Sequence, residues 1–295
     1  MAAVKVHLVD GTYELFRQNF GRSGREDSRE NAATIGVLAS TLSLIADGAT
    51  HVGVASDHVI ESFRNDLWPG YKTSEGMPPE LLRQLPVFED ALTAMGVTVW
   101  AMVEYEADDA LGVAAAVADA DERVEQVLIV TPDKDLGQCV RDDRVVQFDR
   151  RKREIIDEAG VVTKFGVGPA SIPDYLGLVG DTADGFPGLA GWGAKSASAV
   201  LARYGKLEHI PLQAGQWDVP GLRGAEKLAT TLRENLELAV LFRHIATVVS
   251  DPALIDVGTV DSWRWTGPTA EFADVARRLE APELIDRATR LAAKI

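Results

Sequence analysis

The strongest constraint on the fold of this chain is that short β-rich runs alternate with helical segments through its first half. Such alternation is typical of a parallel sheet, because each helix returns the chain to the end of the sheet from which the next strand starts. The sequence therefore predicts an α/β fold with a doubly wound, mostly parallel central sheet. The predicted strands lie within 4–10, 51–57, 97–106 and 124–135, and the predicted helices are 32–48, 78–96 (kinked at Pro86) and 107–120.

The second half of the chain has a different pattern. From about residue 161 onward, strand signals nearly vanish and helical segments joined by Gly/Pro turns dominate. The segment 180–205 is dense in glycine between helical stretches, and 224–249 is predicted to form one long amphipathic helix. We therefore expect an α/β domain at 1–160 and a helical region at 161–295.

The amino-acid composition excludes several classes of protein. Hydrophobic residues make up 46% of the chain, and no apolar run approaches the roughly 18 residues of a membrane span, so no membrane partner is expected. The start of the chain lacks the pattern of a signal peptide, and the single Cys139 excludes an internal disulfide, so we expect a cytoplasmic location. The net charge of −15 argues against general nucleic-acid binding, unless bound cations neutralise the acids locally.

Acidic residues follow the predicted strands at the points where these strands end. The set comprises Asp10, Asp57, Glu106, Asp133 and Asp135, and further acids are Asp108, Asp109, Asp181 and Asp184. The carboxyl ends of parallel strands meet at one edge of a sheet, and ligands bind beyond that edge. A single acid at a strand end is commonly a cap or turn residue, but independent caps have no reason to recur at almost every strand. The three-residue spacing of Asp181 and Asp184 would let one helix turn present both.

Carboxylates gathered in this number repel one another unless cations lie between them. An all-oxygen ligand set suits Mg²⁺ or Mn²⁺, and the sequence has no His/Cys cluster of the zinc type. Two or three such ions suit phosphoryl transfer, because together they stabilise the attacking and the leaving oxygen. The sequence therefore predicts a divalent-metal site that acts on phosphate esters.

Five segments resemble signatures of the 5′-nuclease superfamily, which includes bacterial and phage 5′-3′ exonucleases, flap endonucleases and the N-terminal nuclease domain of DNA polymerase I. The segments are VDGTYELFR (9–17), ESFRNDLWPGYK (61–72), YEADDALG (105–112), TPDKDLGQ (131–138) and GDTADGFPGLAGWGAKSA (180–197). They cover roughly residues 4–205 in the family's order. The resemblance implies two metal sets, one of Asp10, Asp57, Glu106, Asp108 and Asp109 with Asp133 at its edge, and one of Asp133, Asp135, Asp181 and Asp184.

The resemblance also implies roles for residues outside the metal sets. Lys72 would contact the scissile phosphate and offset its developing charge. Arg17 would be a second phosphate contact, and Tyr71 would stack on a base near the cut. The stretch after Lys72 holds Arg83 as its one cation, whereas relatives carry several basic residues on an arch over the active site.

The glycine-rich segment is similar to the family's helix–hairpin–helix-like element. Its glycines would let backbone N–H groups approach duplex phosphates, and a helix N-terminus adds a favourable dipole. In relatives this element often holds K⁺. The candidate DNA contacts are Gly188, Gly191, Gly193 and Lys195.

The implied activity is structure-specific 5′-3′ exonuclease and flap endonuclease cleavage of DNA in replication and repair. The expected substrates are 5′ flaps and 5′ ends at duplex junctions. We expect a monomer associated with the nucleoid, with a functional link to a DNA polymerase and a ligase. Two alternatives stay open from the sequence, namely a non-catalytic binder of branched DNA and an RNA-cleaving nuclease on the same acidic core.

Overall fold

The structure is a computed structural model that describes residues 4–21 and 29–294. The chain forms two compact units. The first comprises Met1–Ile60, Ser74–Thr131 and Val249–Ile295, and the second comprises Glu61–Thr73 and Pro132–Val248. Each compact unit consists of separate stretches of the chain, so this division does not test a single boundary near residue 160. That boundary stays a prediction.

The secondary structure elements follow the alternation expected in the first half. The strands are β1 Val4–Asp10, β2 His51–Asp57, β3 Thr98–Met102, β4 Val124–Val130, β5 Val145–Asp149 and β6 Glu154–Ile156. The helices are α1 Gly11–Phe20, α2 Ala32–Ala46, α3 Phe63–Leu67, α4 Pro79–Leu82, α5 Gln84–Ala94, α6 Ala107–Ala120, α7 Glu158–Phe165, α8 Ile172–Val179, α9 Ala194–Tyr204, α10 Ala225–Glu234, α11 Leu236–Ala246, α12 Phe272–Arg278 and α13 Glu283–Ala292. Among the described residues, none of these helices has the length and apolarity that a transmembrane span requires.

The first unit contains four parallel strands in the order β3–β2–β1–β4. The chain adds β2 and β3 on one side of β1 and then places β4 on its other side. This reversal makes the space between the ends of β1 and β4 the topological switch point, where open α/β sheets bind ligands. The predicted α/β class with a mostly parallel central sheet is confirmed.

The predicted helix over 78–96 is divided into α4 and α5 around Arg83. Pro86 explains the division, because its ring would clash with the carbonyl of Leu82 in a continuous helix. α4 ends at Leu82, so Pro86 falls in the first turn of α5, where no N–H is needed.

The C-terminal segment completes the core of the first unit. Trp263 and Trp265 are fully buried. The indole N–H of Trp265 donates to the Met95 carbonyl at 2.8 Å, and Trp263 packs edge-on against Trp100. Buried aromatic pairs of this kind stabilise a core beyond their area alone. Residues that the sequence placed in the helical region therefore pack with the first unit.

The second unit is mainly helical around an antiparallel pair, β5 and β6, that the sequence did not predict. The helix predicted over 224–249 is wrong as one element, because it is broken at Asn235 into α10 and α11. Asn235 leaves helical geometry at φ −129°, and its side-chain amide donates to the Thr231 carbonyl at 2.9 Å. This bond satisfies a carbonyl at the end of α10, as helix termini require.

Candidate functional site

Asp10 lies at the carboxyl end of β1, beside the topological switch point of the first unit. Its Oδ1 accepts the N–H of Tyr13 at 2.8 Å, which caps α1. Its Oδ2 accepts the hydroxyl of Thr131 at 3.0 Å, from the residue that follows β4. The fold thus fixes a buried carboxylate at the place where ligands bind in sheets of this topology.

Asp57 lies at the end of the neighbouring strand β2, on the same edge of the sheet. Its Oδ1 accepts the N–H of Ala107 at 2.8 Å, and its own N–H donates to the Thr12 hydroxyl at 2.8 Å. These bonds connect the end of β2 to the starts of α6 and α1. The side chain is oriented by the fold itself.

The start of α6 contains three of the predicted metal ligands. Asp109 is fully buried, and its Oδ2 accepts the N–H of Glu106 at 3.0 Å. Its Oδ1 accepts the N–H of Val249 at 2.9 Å. Asp108 is half-buried in the first turn of the helix. Asp109 therefore has a structural role within the first unit, whatever it contributes to metal binding.

Three aspartates of the second unit form a close cluster, here called the acidic trio: Asp135, Asp181 and Asp184. Each offers a carboxylate oxygen that lies within 4.8 Å of the other two. The Asp135 Oδ1 atom is buried and has no hydrogen-bond partner within the described part of the chain. A buried carboxylate oxygen without a donor costs free energy, and a hard divalent cation would satisfy it. The donor set therefore fits the predicted metal site.

A tight turn presents two members of the trio. The backbones of Asp181 and Phe186 exchange hydrogen bonds of 2.8 and 3.0 Å, and Asp181 Oδ1 accepts the N–H of Ala183 at 3.0 Å. The expectation that one helix turn presents Asp181 and Asp184 is therefore wrong. The two side chains extend from a turn that precedes α9.

Burial and neighbouring charges change the pKa of Asp135. Burial, followed by the negative charges of Asp133 and Asp184, raises the pKa of the Asp135 carboxyl well above its usual range. The neighbouring Asp133 is exposed, and its Oδ1 accepts the Asp135 N–H at 2.9 Å. An ionised Asp135 is thus unfavourable until a positive charge is added to the trio.

Lys134 is a member of this site that the sequence interpretation missed. Its ammonium forms an ion pair with Asp181. Burial by itself lowers the pKa of Lys134, but the bond to Asp181 and the charge of Asp135 outweigh burial and raise it. The available signal was the position of a lysine between Asp133 and Asp135.

Lys72 lies against the third member of the trio. Its Nζ is 3.0 Å from Asp184 Oδ1, and its backbone N–H donates to the Asp184 carbonyl at 2.9 Å. Tyr71 requires a correction, because its ring is only 4% exposed and lies in the hydrophobic core of the second unit. The Lys72 ammonium lies 5.5 Å from the centroid of this ring, and in this position the ring does not offer an exposed face to a base.

Arg17 projects from α1 and is already paired. Its guanidinium contacts the buried Glu14 through Nε at 3.1 Å and Nη2 at 2.5 Å, and Nη2 is 3.5 Å from the Ser40 hydroxyl. Two parallel bonds orient the planar group strongly. A phosphate contact by Arg17 stays a prediction, and it would use donors outside this pairing.

The glycine-rich segment divides into a buried and an exposed part. Gly188 is buried at φ +67°, and a side chain there would collide with the backbone of 178–180. Close packing within the chain therefore requires glycine at this position, and the contact of Gly188 with DNA stays a prediction. Gly191, Gly193 and Lys195 are exposed around the N-terminus of α9.

Glu89 is a buried carboxylate that the sequence did not reveal, and it contacts both sequence neighbours of Asp57. Glu89 on α5 is 6% exposed, and its Oε1 accepts the hydroxyl of the buried Ser56 at 2.6 Å. Its Oε2 lies 2.7 Å from Nδ1 of His58. Both sequence neighbours of Asp57 are thus tied to α5. No local pattern signals this, since Glu89 lies 31 positions beyond His58.

Comparisons with known proteins identify the family of this chain. Residues 5–166 match the family model of the 5′-3′ exonuclease N-terminal resolvase-like domain, and residues 167–271 match the 5′-3′ exonuclease C-terminal SAM fold. The chain is 32% identical over 209 residues to a 5′-3′ exonuclease of Aquifex aeolicus, which covers 70% of this chain and 71% of that protein. It is also 32% identical over 260 residues to DNA polymerase I of Mycobacterium leprae, which covers 84% of this chain. The chain spans about a quarter of that relative, 27% of its length.

Solved structures share the fold at low identity. T5 5′-exonuclease with bound divalent zinc ions superposes with a TM-score of 0.65 at 18% identity and covers 99% of both chains. The catalytic core of Rad2 in complex with a DNA substrate gives a TM-score of 0.62 at 14% identity and covers 98% of this chain and 92% of the other. These similarities concern the architecture.

Proposed function

Since the chain belongs to the 5′-3′ exonuclease family, we propose that it cuts DNA at 5′ ends and 5′ flaps with the help of divalent cations bound by its acidic residues. The resemblance to the 5′-nuclease superfamily is confirmed, and the membership of the family supports nuclease activity. The observation that supports the proposal most directly is the acidic trio, in which the buried Asp135 Oδ1 has no donor among the described residues.

The proposed ions are Mg²⁺ or Mn²⁺, two or three in number, because every candidate ligand is a carboxylate. Such ions supply Lewis acidity and activate water for attack on a phosphodiester. The trio, defined above, would hold one part of this set, and the carboxylates at the sheet edge of the first unit would hold the other. The latter are Asp10, Asp57, Glu106, Asp108 and Asp109, with Asp133 between the two sets in sequence.

The chain's own residues would bind and orient the phosphate. Lys72 brings an ammonium to the trio, and this charge would offset the negative charge that develops on the phosphate. Arg17 would add a second cation. Because these residues would contact the DNA backbone, the protein would select its substrate by DNA structure rather than by base sequence.

The duplex would be held by the N-terminus of α9. Gly191, Gly193 and Lys195 are exposed there, and the dipole of an eleven-residue helix favours a phosphate at this end. A bound K⁺ in this segment is part of the proposal. Support for DNA as the substrate comes from the Rad2 catalytic core, which was solved with DNA.

The biological setting would be the removal of 5′ flaps in replication and repair. The products would be a 5′-phosphate and a 3′-hydroxyl, which a DNA polymerase and a ligase then process. The relationship to DNA polymerase I supports this link, because that protein combines a segment like this chain with further sequence. We also propose a monomer in the cytoplasm, associated with the nucleoid.

The test is cleavage of an end-labelled 5′-flap DNA by wild type and Asp181→Asn, with Mg²⁺, with Mn²⁺ and with a chelator. We expect cleavage at the flap junction only with metal, and a loss of about a thousandfold in Asp181→Asn, as when several kcal/mol of charge stabilisation is removed. The matched control is Asp218→Asn, because Asp218 is an exposed aspartate of the same unit that pairs with Arg203.

Three outcomes would contradict the proposal. Cleavage that persists in chelator would exclude the metal mechanism. Binding of flap DNA without any cleavage would identify a non-catalytic binder of branched DNA. Faster cleavage of single-stranded RNA than of flap DNA would identify an RNA nuclease on the same acidic core.

A further inference from the structure

We infer that Lys134 and Lys72 are resident counter-cations of the acidic trio, and that a divalent ion must displace them in order to bind. The inference rests on the proposed function, because it assumes that the trio is a metal site. It adds that the two lysines compete with the metal, and that Lys72 becomes available for phosphate only after the ion has entered.

Lys134 occupies the position of a cation in the trio. Its ammonium contacts Asp181, whose side chain is 5% exposed, while the lysine itself is partly buried. Lys134 follows Asp133 and precedes Asp135 in sequence, so its backbone cannot move far from the cluster. A buried carboxylate is stable only when paired, and in this conformation the ammonium is the pairing charge.

Lys72 neutralises the other side of the trio. Its Nζ lies 3.0 Å from Asp184 Oδ1, and both side chains are partly shielded, at 30% and 15% exposure. The Asn65 amide donates to the Lys72 carbonyl at 3.0 Å, and the Lys72 N–H donates to the Asp184 carbonyl. The backbone of Lys72 is therefore fixed, and its flexible side chain can turn from a carboxylate to another anion.

The charge balance shows why displacement is required. Lys134 pairs with Asp181 and Lys72 with Asp184, so two of the three carboxylates of the trio already have a positively charged partner. A divalent ion bound to the same oxygens would lie a few ångströms from both ammoniums, where repulsion between like charges is strong. Asp135 has a buried Oδ1 atom without a partner in the described part of the chain, so it is the natural first contact for an entering ion.

Displacement links metal binding to substrate binding. When the ion binds Asp184, the ion pair between Lys72 and Asp184 is weakened, and the Lys72 ammonium can turn toward a phosphate. Without the ion, Lys72 stays paired and the trio repels the DNA backbone. The order of events would then be metal first and scissile phosphate second.

The test is Mn²⁺ affinity, measured by electron paramagnetic resonance and by calorimetry on full-length wild type, Lys134→Met and Lys72→Met. Removal of a competing charge-assisted bond should lower the Mn²⁺ dissociation constant of Lys134→Met by about tenfold and that of the more exposed Lys72→Met by about threefold. The matched control is Lys227→Met, an exposed lysine on α10 of the same unit, which should stay within about twofold of wild type.

A second measurement covers the case in which Lys134→Met is unstable without metal. The competition predicts that Mn²⁺ raises the melting temperature of Lys134→Met more than that of wild type, since the ion replaces the missing charge. Lys134→Arg keeps the charge and should show a wild-type dissociation constant.

The results separate the inference from the proposed function. Unchanged or weaker Mn²⁺ binding in Lys134→Met, beside normal binding in wild type, would overturn the competition and leave the metal site intact. Absence of Mn²⁺ binding in wild type would overturn the proposed function itself. A Lys134→Met variant that Mn²⁺ does not stabilise beyond wild type would also contradict the inference.

Discussion

The two units hold their acidic residues in different ways. In the first unit, Asp10, Asp57 and Asp109 accept hydrogen bonds from backbone N–H groups. In the second, Asp135 has a buried oxygen without a donor among the described residues, and Asp181 adds the Lys134 ammonium to the one backbone N–H that it accepts, from Ala183. The first set is positioned by the fold, whereas the second depends on added positive charge.

This difference indicates that the two sets of carboxylates contribute to metal binding in different ways. Carboxylates fixed by backbone donors keep their geometry with or without a cation, so they provide a preorganised ligand set. Carboxylates that lack donors gain most when a cation arrives, so they determine how strongly the protein responds to metal. Substitutions should therefore affect stability in the first unit and metal response in the second.

Asp109→Ala should show the largest loss of stability. The substitution removes the acceptor of the buried Glu106 N–H and of the partly buried Val249 N–H, so we expect a loss of about 3 kcal/mol in the free energy of unfolding. Urea denaturation in chelator measures it. Asp108→Ala is the control, because Asp108 lies in the first turn of α6 and is less buried than Asp109, and its expected loss is below about 1 kcal/mol. Equal losses of stability in Asp109→Ala and Asp108→Ala would contradict the structural role of Asp109.

Glu89→Ala should show the next largest loss. It removes the acceptor of the buried Ser56 hydroxyl and the partner of His58, so we expect a loss of about 2 kcal/mol. Glu89→Gln keeps the shape and part of the bonding, and it should recover about half of that loss. Chemical denaturation of both variants in chelator decides this, and an unaffected Glu89→Ala would contradict a positioning role around Asp57.

Asp135→Asn should act in the opposite direction in chelator. The pKa of Asp135 is raised by burial and by Asp133 and Asp184, so its folded state favours the proton. Stability from this group is present below the usual carboxyl pKa and is lost as pH rises through the raised folded value. The variant should melt at a higher temperature than wild type at pH 7.5 in chelator, and it should lose the stabilisation that Mn²⁺ gives. A lower melting temperature in chelator would contradict the account.

His51→Gln should give the smallest change in stability. It tests whether burial in the first unit lowers the pKa of a histidine. Burial, with help from Arg264, lowers the pKa of His51. The unfolded chain therefore binds the proton first, and stability is lost as pH falls from the usual histidine value toward the lowered one. Between pH 7.5 and 5.5, the melting temperature of wild type should fall slightly more than that of His51→Gln. Identical slopes would indicate that other groups dominate in this range.

The parts of the fold that follow local patterns were predictable. Parallel strands ending in Asp10 and Asp57 follow from apolar runs alternating with helices, and both residues lie at the same sheet edge. The break at Asn235 was missed because the apolar spacing continues across it, while backbone geometry does not. The strands β5 and β6 were missed because a hairpin this short carries little periodic signal.

The site was predictable where a motif names the residue and not where tertiary contacts decide its role. Tyr71 was assigned to base stacking from its place beside Lys72, but the second unit's core buries its ring. Lys134 was passed over because its partner Asp181 lies 47 positions away in sequence. Gly188 was read as a DNA contact, although the reason for glycine there is the adjacent backbone at 178–180.

Anomalous diffraction from crystals soaked in Mn²⁺ tests the central claim most directly, because it locates the ion and its ligands together. The account predicts a manganese peak among the carboxylates of Asp135, Asp181 and Asp184, with the Lys134 ammonium moved away from Asp181. A map without manganese at the trio, in which Lys134 still contacts Asp181, would contradict it.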